Sequence, residues 1–521
     1  MKAQTQMHDR FYFVELSASG GSVPFTPAVV SCDQPPQSSA TTPTTGWGLP
    51  AVSTSWFLSC TSPLPLTYNP SSTGRIGVSQ QDITPPLGIY SRNWGAALTD
   101  IATGIHLPLT LTCMVIFPKE GKDTHKPLVI FSADLGWWKD TSDERALRTS
   151  ILQALDIPET HLLFCLSHTH AGPSLSSGDQ NKAGGEFIAP YRQMLREKAL
   201  EAYHEACENT VPATLSWHYG KCNLATNRDM PAPENDRILV GFNPARAADD
   251  TLLVGRVTDE HGNTVCTLVN YACHPTVLAW ENQLISPDYV GTMRAIVEEK
   301  TEAPCLFLQG ASGELAPAEQ YIGDVTVAEA HGRHLGYAVL ATLESMYPPR
   351  TQISFDRAVE SGAPLAVWKR QHRPPSDVLR AEYVTVEMNL KALPPLEEID
   401  QRLQACTDHV LKERLVRMRA MRKNLGEGDR AVMPLWVWRL GEVALVAQPN
   451  EAYSLFQQLL REQFAPTPIA VVNIANGYIG YLPPTDDYDK DMYAVTQTPF
   501  AKGSLERLIN KAAQAISDIM Q

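Results

Sequence analysis

No run of about 18 apolar residues occurs in the 521-residue chain, so a membrane-spanning helix is not expected. Positive charge is in short supply: 43 Lys and Arg stand against 57 Asp and Glu, a formal net charge of −14. Phosphate backbones are bound by clustered excess cations, so no nucleic-acid partner is expected. The ten cysteines are scattered, with no C-x-x-C pair, which fits reduced buried thiols better than a disulfide framework. There is no internal repeat and no glycine-rich loop of the phosphate-cradling kind. The first residues, MKAQTQMHDRFYFVELSASGG, lack a basic stretch followed by an apolar one, so no secretory address is expected at Met1 and the cytoplasm is slightly favoured. What is present is ordinary for a globular protein: 43% hydrophobic and 19% charged residues, enough apolar surface for a real core. At about 150 residues per domain the length suits roughly three domains or one large α/β unit.

Residues 1–73 differ from the rest. From Ser31 onward about half are Ser, Thr or Pro without hydrophobic periodicity, and this lead is expected to be disordered. After Arg75 short apolar segments alternate with helical ones. Segments 127–132 (PLVIFS) and 162–167 (LLFCLS) read as buried strands with a helix, 142–155, between them. Residues 187–209 read as a long amphipathic helix with Tyr191, Leu195, Ala199, Ala202 and Ala206 along one side. Strands are expected at 264–272 and 305–309 and helices at 289–300 and 325–346. Segment 396–425 is charged and reads as a solvated helical pair on the surface. A hairpin around Leu440-Gly441, a helix over 451–464, a strand over 469–474 and a helix over 504–520 complete the pattern. The expectation is one large α/β domain, residues 74–521, with a mixed, mostly buried sheet flanked by helices.

Chemistry concentrates at strand ends. Ser167-His168-Thr169-His170-Ala171-Gly172-Pro173 follows the strand LLFCL, where open α/β sheets place ligands. Imidazoles at i and i+2 share one side of an extended chain and suit a metal. On its own the pair is equally one structural histidine beside an exposed one. A second strand-end histidine, His274 in Asn270-Tyr271-Ala272-Cys273-His274-Pro275-Thr276, could converge on the same ion. Glu451, after the hairpin, is a carboxylate candidate, or else a helix first-turn acid.

Seven ordered motifs carry a resemblance: Asp82-Ile83-Thr84-Pro85-Pro86, the His168 segment, the His274 segment, Ser286-Pro287-Asp288-Tyr289-Val290-Gly291, Gln309-Gly310-Ala311-Ser312-Gly313-Glu314, Gln448-Pro449-Asn450-Glu451 and Gly480-Tyr481-Leu482-Pro483. Together, over about residues 75–507, they resemble the neutral ceramidase family. The resemblance implies a zinc-dependent amidase acting on the N-acyl bond of a small-molecule or lipid-like substrate. His168, His274, Glu451 and Tyr481 match the family's zinc ligands, His170 the histidine beside the nucleophile, and Tyr493 a tyrosine facing the scissile carbonyl. Tyr488, at a neighbouring family tyrosine, is the candidate substrate contact.

The chain departs from that family at one decisive place. The family's nucleophilic serine lies in a Gly-Asp-Val-Ser-Pro pattern, whereas this chain reads Gly313-Glu314-Leu315-Ala316-Pro317. Alanine cannot attack, so activated water becomes the expected nucleophile, with Glu314 or His170 as general base. Ser312, four residues earlier, is the covalent alternative. No C-terminal β-sandwich is expected after the catalytic domain. A catalytically inactive relative, using the zinc site to bind a ligand or to hold the fold, is the competing reading.

Overall fold

Strands with apolar side chains on both faces must be covered twice, and this requirement organises the molecule. A computed structural model describes residues 66–120 and 126–521. The principal sheet has eight strands: β1 (Ser71–Asp82), β2 (Thr110–Phe117), β3 (Leu128–Ala133), β4 (Leu162–Leu166), β5 (Val211–Lys221), β6 (Thr251–Asp259), β7 (Thr264–Tyr271) and β8 (Cys305–Gln309). Their order is β8-β7-β6-β5-β1-β2-β3-β4. The outermost pairs, β7/β8 and β3/β4, are parallel, and every pair between them is antiparallel. The sheet is therefore mixed, as the alternating pattern predicts.

Alternation along β3 shows the layering. Val129, Phe131 and Ala133 pack under helices α1 (Thr141–Leu155) and α2 (Ile188–Glu208). Leu128 and Ile130 face the other way, toward Trp436, Trp438 and Leu445. Helices α3 (Tyr289–Thr301) and α4 (Val325–Ser345) cover the β7–β8 end of the helical face. A second, four-stranded sheet covers the opposite face: β9 (Leu379–Asn389), β10 (Arg430–Leu440), β11 (Val443–Ala447) and β12 (Ile469–Val472), in that order. Before β10 come α5 (Leu396–Ala405) and α6 (His409–Leu425). Helices α7 (Leu455–Gln463), α8 (Tyr493–Gln497) and α9 (Ser504–Met520) follow β11, and residues of α7 and α9 close the outer side of this second sheet. The result is an αββα sandwich.

Edge strands β4 and β8 do not pair with each other, so no barrel closes. Ser132 Oγ on β3 nevertheless donates to Phe307 O on β8 at 2.7 Å. Residues 473–476, continuing β12, bond to both edges: Asn473 N to Gln309 O at 2.8 Å, Asn476 N to Phe164 O at 3.0 Å.

The expected lead, 1–73, lies outside the described residues up to 65, and its expected end falls inside β1. Ser71–Thr73 are strand residues paired with Ser216–Thr214 of β5, and Thr73 Oγ1 donates to Ala213 O at 3.0 Å. The Thr73 hydroxyl is thus satisfied within the sheet, and the main chain of all three residues is paired, which lets a polar stretch form a buried strand. A second difference concerns the helix expected over 451–464. It starts at Leu455, and Glu451–Ala452 instead pair in parallel with Tyr481–Leu482. All eight described cysteines are free thiols.

Candidate metal centre and adjoining cavity

His168 is set by the end of β4. Ser167 N donates to Ala133 O and His168 N to Leu135 O, both at 2.9 Å, and His168 takes φ +70°, a left-handed conformation that costs a non-glycine residue energy and clusters at functional sites. His274 follows β7, with its main-chain N donating to Leu315 O at 2.8 Å. Each ring commits one nitrogen to the main chain: His168 Nδ1 lies 3.2 Å from Gly136 O, and His274 Nδ1 2.7 Å from Ser312 O. A ring that donates through Nδ1 keeps its lone pair on Nε2. Both Nε2 atoms face Glu451 Oε2, at 3.4 Å from His168 and 2.7 Å from His274.

The parallel pairing of Glu451 with Tyr481 explains how a residue 177 positions beyond His274 arrives here. Glu451 Oε1 accepts from Tyr478 Oη at 2.7 Å. Burial would raise its pKa, yet the two facing imidazoles hold its carboxyl well below the usual carboxylate range. Burial, aided by Arg228, pushes His274 down to about 4. His170 is half-buried, with its ring between Trp94 and Trp137 (centroids at 5.1 and 4.8 Å). Its two ring nitrogens are enclosed and have no hydrogen-bond partner. Burial, followed by the neighbouring histidines, drives its pKa well below the ordinary value.

His168, His170 and His274 each offer a nitrogen, all within 4.8 Å of one another. Three imidazoles, with His168 Nε2 and both His170 nitrogens lacking a hydrogen-bond partner and a carboxylate alongside, suit a divalent transition metal. The donor set fits an ion.

Tyr481 is buried and its Oη accepts from Arg228 Nη2 at 3.0 Å, while Arg228 also donates to Gly313 O at 2.7 Å. Tyr493 packs against Tyr481 (centroids 5.6 Å) and accepts from Arg417 Nη1 at 3.0 Å. Tyr488 has its ring under Lys391 Nζ, 5.4 Å away, and none of its ring contacts or hydrogen bonds reaches the cluster. Glu314 is buried, but its carboxyl is held by Ser454, through N at 3.0 and 2.9 Å and through Oγ. Ser312 Oγ accepts from Gln309 Nε2 at 2.6 Å. Ala316 lies in a short strand against Thr226.

Arg228, Tyr478, Trp137 and Arg417 were not legible as site residues. Trp137 alone carried a signal, since it follows an apolar strand as His168 and His274 do. Helix α6, read as solvated, is exposed on one side only. Its other side lines a cavity of about 400 Å³ whose wall also includes Trp137 and Tyr478, within the size range of small-molecule sites. Trp137 touches His168 and His170, and Tyr478 bonds Glu451, so the cavity adjoins the cluster.

No protein-family model matches the chain. Among solved structures, a neutral ceramidase from Pseudomonas aeruginosa is similar, with 18% identity and a TM-score of 0.56 over 86% of this chain and 75% of that one. A ceramidase complexed with C2 matches with 17% identity and the same TM-score over 86% and 76%. The chain thus shares the mixed α/β architecture of the neutral ceramidases.

Proposed function

We propose that the protein is a zinc-dependent hydrolase of an N-acyl amide bond. The observation that carries this reading is the convergence of His168, His170 and His274 within 4.8 Å, with Glu451 Oε2 against two of them. The ceramidase fold supports the N-acyl substrate class, and one of those ceramidases is complexed with C2. His168, His274 and Glu451 would hold the ion, with Tyr481 beside them. Bound zinc supplies Lewis acidity, lowering the pKa of water toward about 7 and polarising a carbonyl.

The rest is the work of the chain's own side chains. His170 is the general base: its nitrogens lack hydrogen-bond partners and burial keeps it neutral, so it can take a proton from the attacking water. Water oxygen bonds to the carbonyl carbon, and the proton held on His170 passes to the amide nitrogen as the C–N bond breaks. A carboxylic acid and an amine leave. Tyr493 accepts from Arg417, which leaves its own O–H to donate to the developing oxyanion. Glu314, bound to Ser454, shapes the turn between 312 and 316 rather than moving protons.

The test joins metal analysis of the purified protein with hydrolysis of a fluorogenic N-acyl substrate, with and without chelator. Expected are one zinc per chain, chelator-sensitive turnover, a fall of about 10²-fold or more in His170→Gln, and retained activity in Ser312→Ala. Stoichiometric zinc without turnover on any amide or ester would favour the inactive, ligand-binding reading, which Ala316 motivates.

A further inference from the structure

Arg417 sits where the cavity meets the cluster. Its Cζ lies 5.9 Å from the Trp137 ring centre, and Trp137 in turn lies 4.8 Å from the His170 ring. Nη1 donates to Tyr493 Oη at 3.0 Å and Nη2 to Asn93 O at 3.2 Å. Two of the five N–H groups of a guanidinium are thereby used. Glu413 forms an i,i+4 ion pair with Arg417, 3.7 Å from Nε, without a hydrogen bond. Farther along the same wall, Lys139 and Lys182 share a single carboxylate, Asp179, at 2.9 and 2.8 Å. Five cationic side chains line the cavity against three carboxylates, in a chain whose net charge is −14. Arg419, one of the five, is taken by Asp400, Lys423 by Asp140 and Arg417 by Glu413, which leaves an excess of one charge with the lysine pair, while Arg417 keeps N–H groups free of hydrogen bonds. A low-dielectric cleft with surplus positive charge concentrates anions.

We propose that the cavity receives an N-acyl α-amino acid, with Arg417 binding the carboxylate and the acyl chain lying against Met421 and Ile479. The inference rests on the amidase reading and names its substrate class. Position argues for the amine half carrying the charge. Arg417 is bonded to Tyr493 and lies one ring away from His170, so the anionic group it receives must sit close to the scissile amide. In an N-acyl α-amino acid only one carbon separates the amide nitrogen from the carboxylate. An anion at the far end of an acyl chain would lie too distant, and an uncharged amino alcohol would bring no carboxylate to the N–H groups that Tyr493 and Asn93 leave free. The planar fork of arginine matches a carboxylate in bidentate geometry.

Calorimetric binding of N-octanoylglycine and its neutral counterpart N-octanoylglycinamide to the metal-loaded full chain tests this, alongside hydrolysis of both. The expected result is at least about tenfold tighter binding of the carboxylate, a preference that weakens with salt. Arg417→Gln should bring the ratio near one, and Arg417→Lys should restore part of it, since it keeps the charge and loses the fork. A purely structural role would lower both affinities together and leave the ratio intact. Equal binding of the two compounds by the native chain, or an unchanged ratio in Arg417→Gln, would overturn the proposal. Hydrolysis of both without preference overturns it while the amidase reading stands. Selective binding with no hydrolysis overturns the amidase reading and leaves this site in place, and binding of neither compound overturns the proposal outright.

Discussion

Glu314 is buried beside Ser454, and burial pushes its carboxyl up to about 7 even though Ser454 donates to it from both N and Oγ. The sign of the consequence follows from linkage. The unfolded chain releases this proton near pH ~4.5 and the folded one near ~7, so the stabilisation is complete below ~4.5 and fades as pH rises toward ~7. The loss amounts to about 3 kcal/mol over that window. Glu314→Gln should abolish this component: urea midpoints of native and variant should diverge between pH ~4.5 and ~7, with the variant gaining relative stability on the alkaline side. Asp134 and Arg294 give the opposite lesson. Their bidentate pair, at 2.6 and 2.7 Å, is almost fully buried, and Asp134 also accepts from Thr110 N and Oγ1. Arg294→Met strands a charged carboxylate two residues before Gly136, whose carbonyl receives His168. It should cost about 3 to 5 kcal/mol, and Asp134→Leu in the same chain should recover much of the loss in denaturant unfolding.

Among the elements, some strands buried on both faces were legible in the sequence, whereas others such as β2 and β6, and the polar β1, were not. Segments 128–133, 162–166 and 305–309 are continuous apolar runs that fit only a covered strand. No strand is expected over β1, SSTGRIGVSQQD, whose first three residues fall in the expected lead, because Ser79, Gln80 and Gln81 spend their polar groups on Glu205, Thr112 and Glu298, contacts no local pattern announces. Glu451 shows the same limit at the site. Next to a helical pattern it reads as a first-turn acid, and only the pairing with Tyr481, thirty positions on, puts it against the histidines. Motif resemblance supplied His168, His274, Glu451 and Tyr481, whereas Arg228, Tyr478 and Arg417 come from isolated positions without periodic or motif context. Asn476 belongs to this second group. At φ +54° it caps the edge of β4, accepting from Phe164 N and donating to Leu162 O, both at 2.8 Å. Asn476→Ala removes both bonds and leaves two buried main-chain groups unmatched, at about 2 to 4 kcal/mol. Amide exchange at Phe164 should accelerate more than at β7, and an unchanged rate there would show that the edge is held by something else.

At the scale of the molecule, the metal candidates come from three places in two sheets: His168 after β4, His274 after β7, and Glu451 after β11 of the second sheet. An ion held by all three would tie the sheets together, and a ligand that binds the folded chain alone stabilises it by mass action, about 2.7 kcal/mol at a free concentration a hundredfold above Kd. The expected outcome is that chelation lowers the melting temperature while the transition stays single, because the ligands belong to one cooperative αββα body rather than to a separable loop. The shift should grow with the logarithm of free zinc. Imidazole and carboxylate must be deprotonated to bind, so protons compete and the increment should shrink toward acid pH. His274→Ala should melt where the chelated native chain melts and gain little from added zinc, since the loss of one of three dispersed ligands weakens the tie between sheets. Scanning calorimetry across zinc concentrations at two pH values measures all of this. A melting temperature indifferent to chelator at both would mean that no ion spans the strand ends, and the histidines would then have to be accounted for as a polar cluster packed against Trp94 and Trp137.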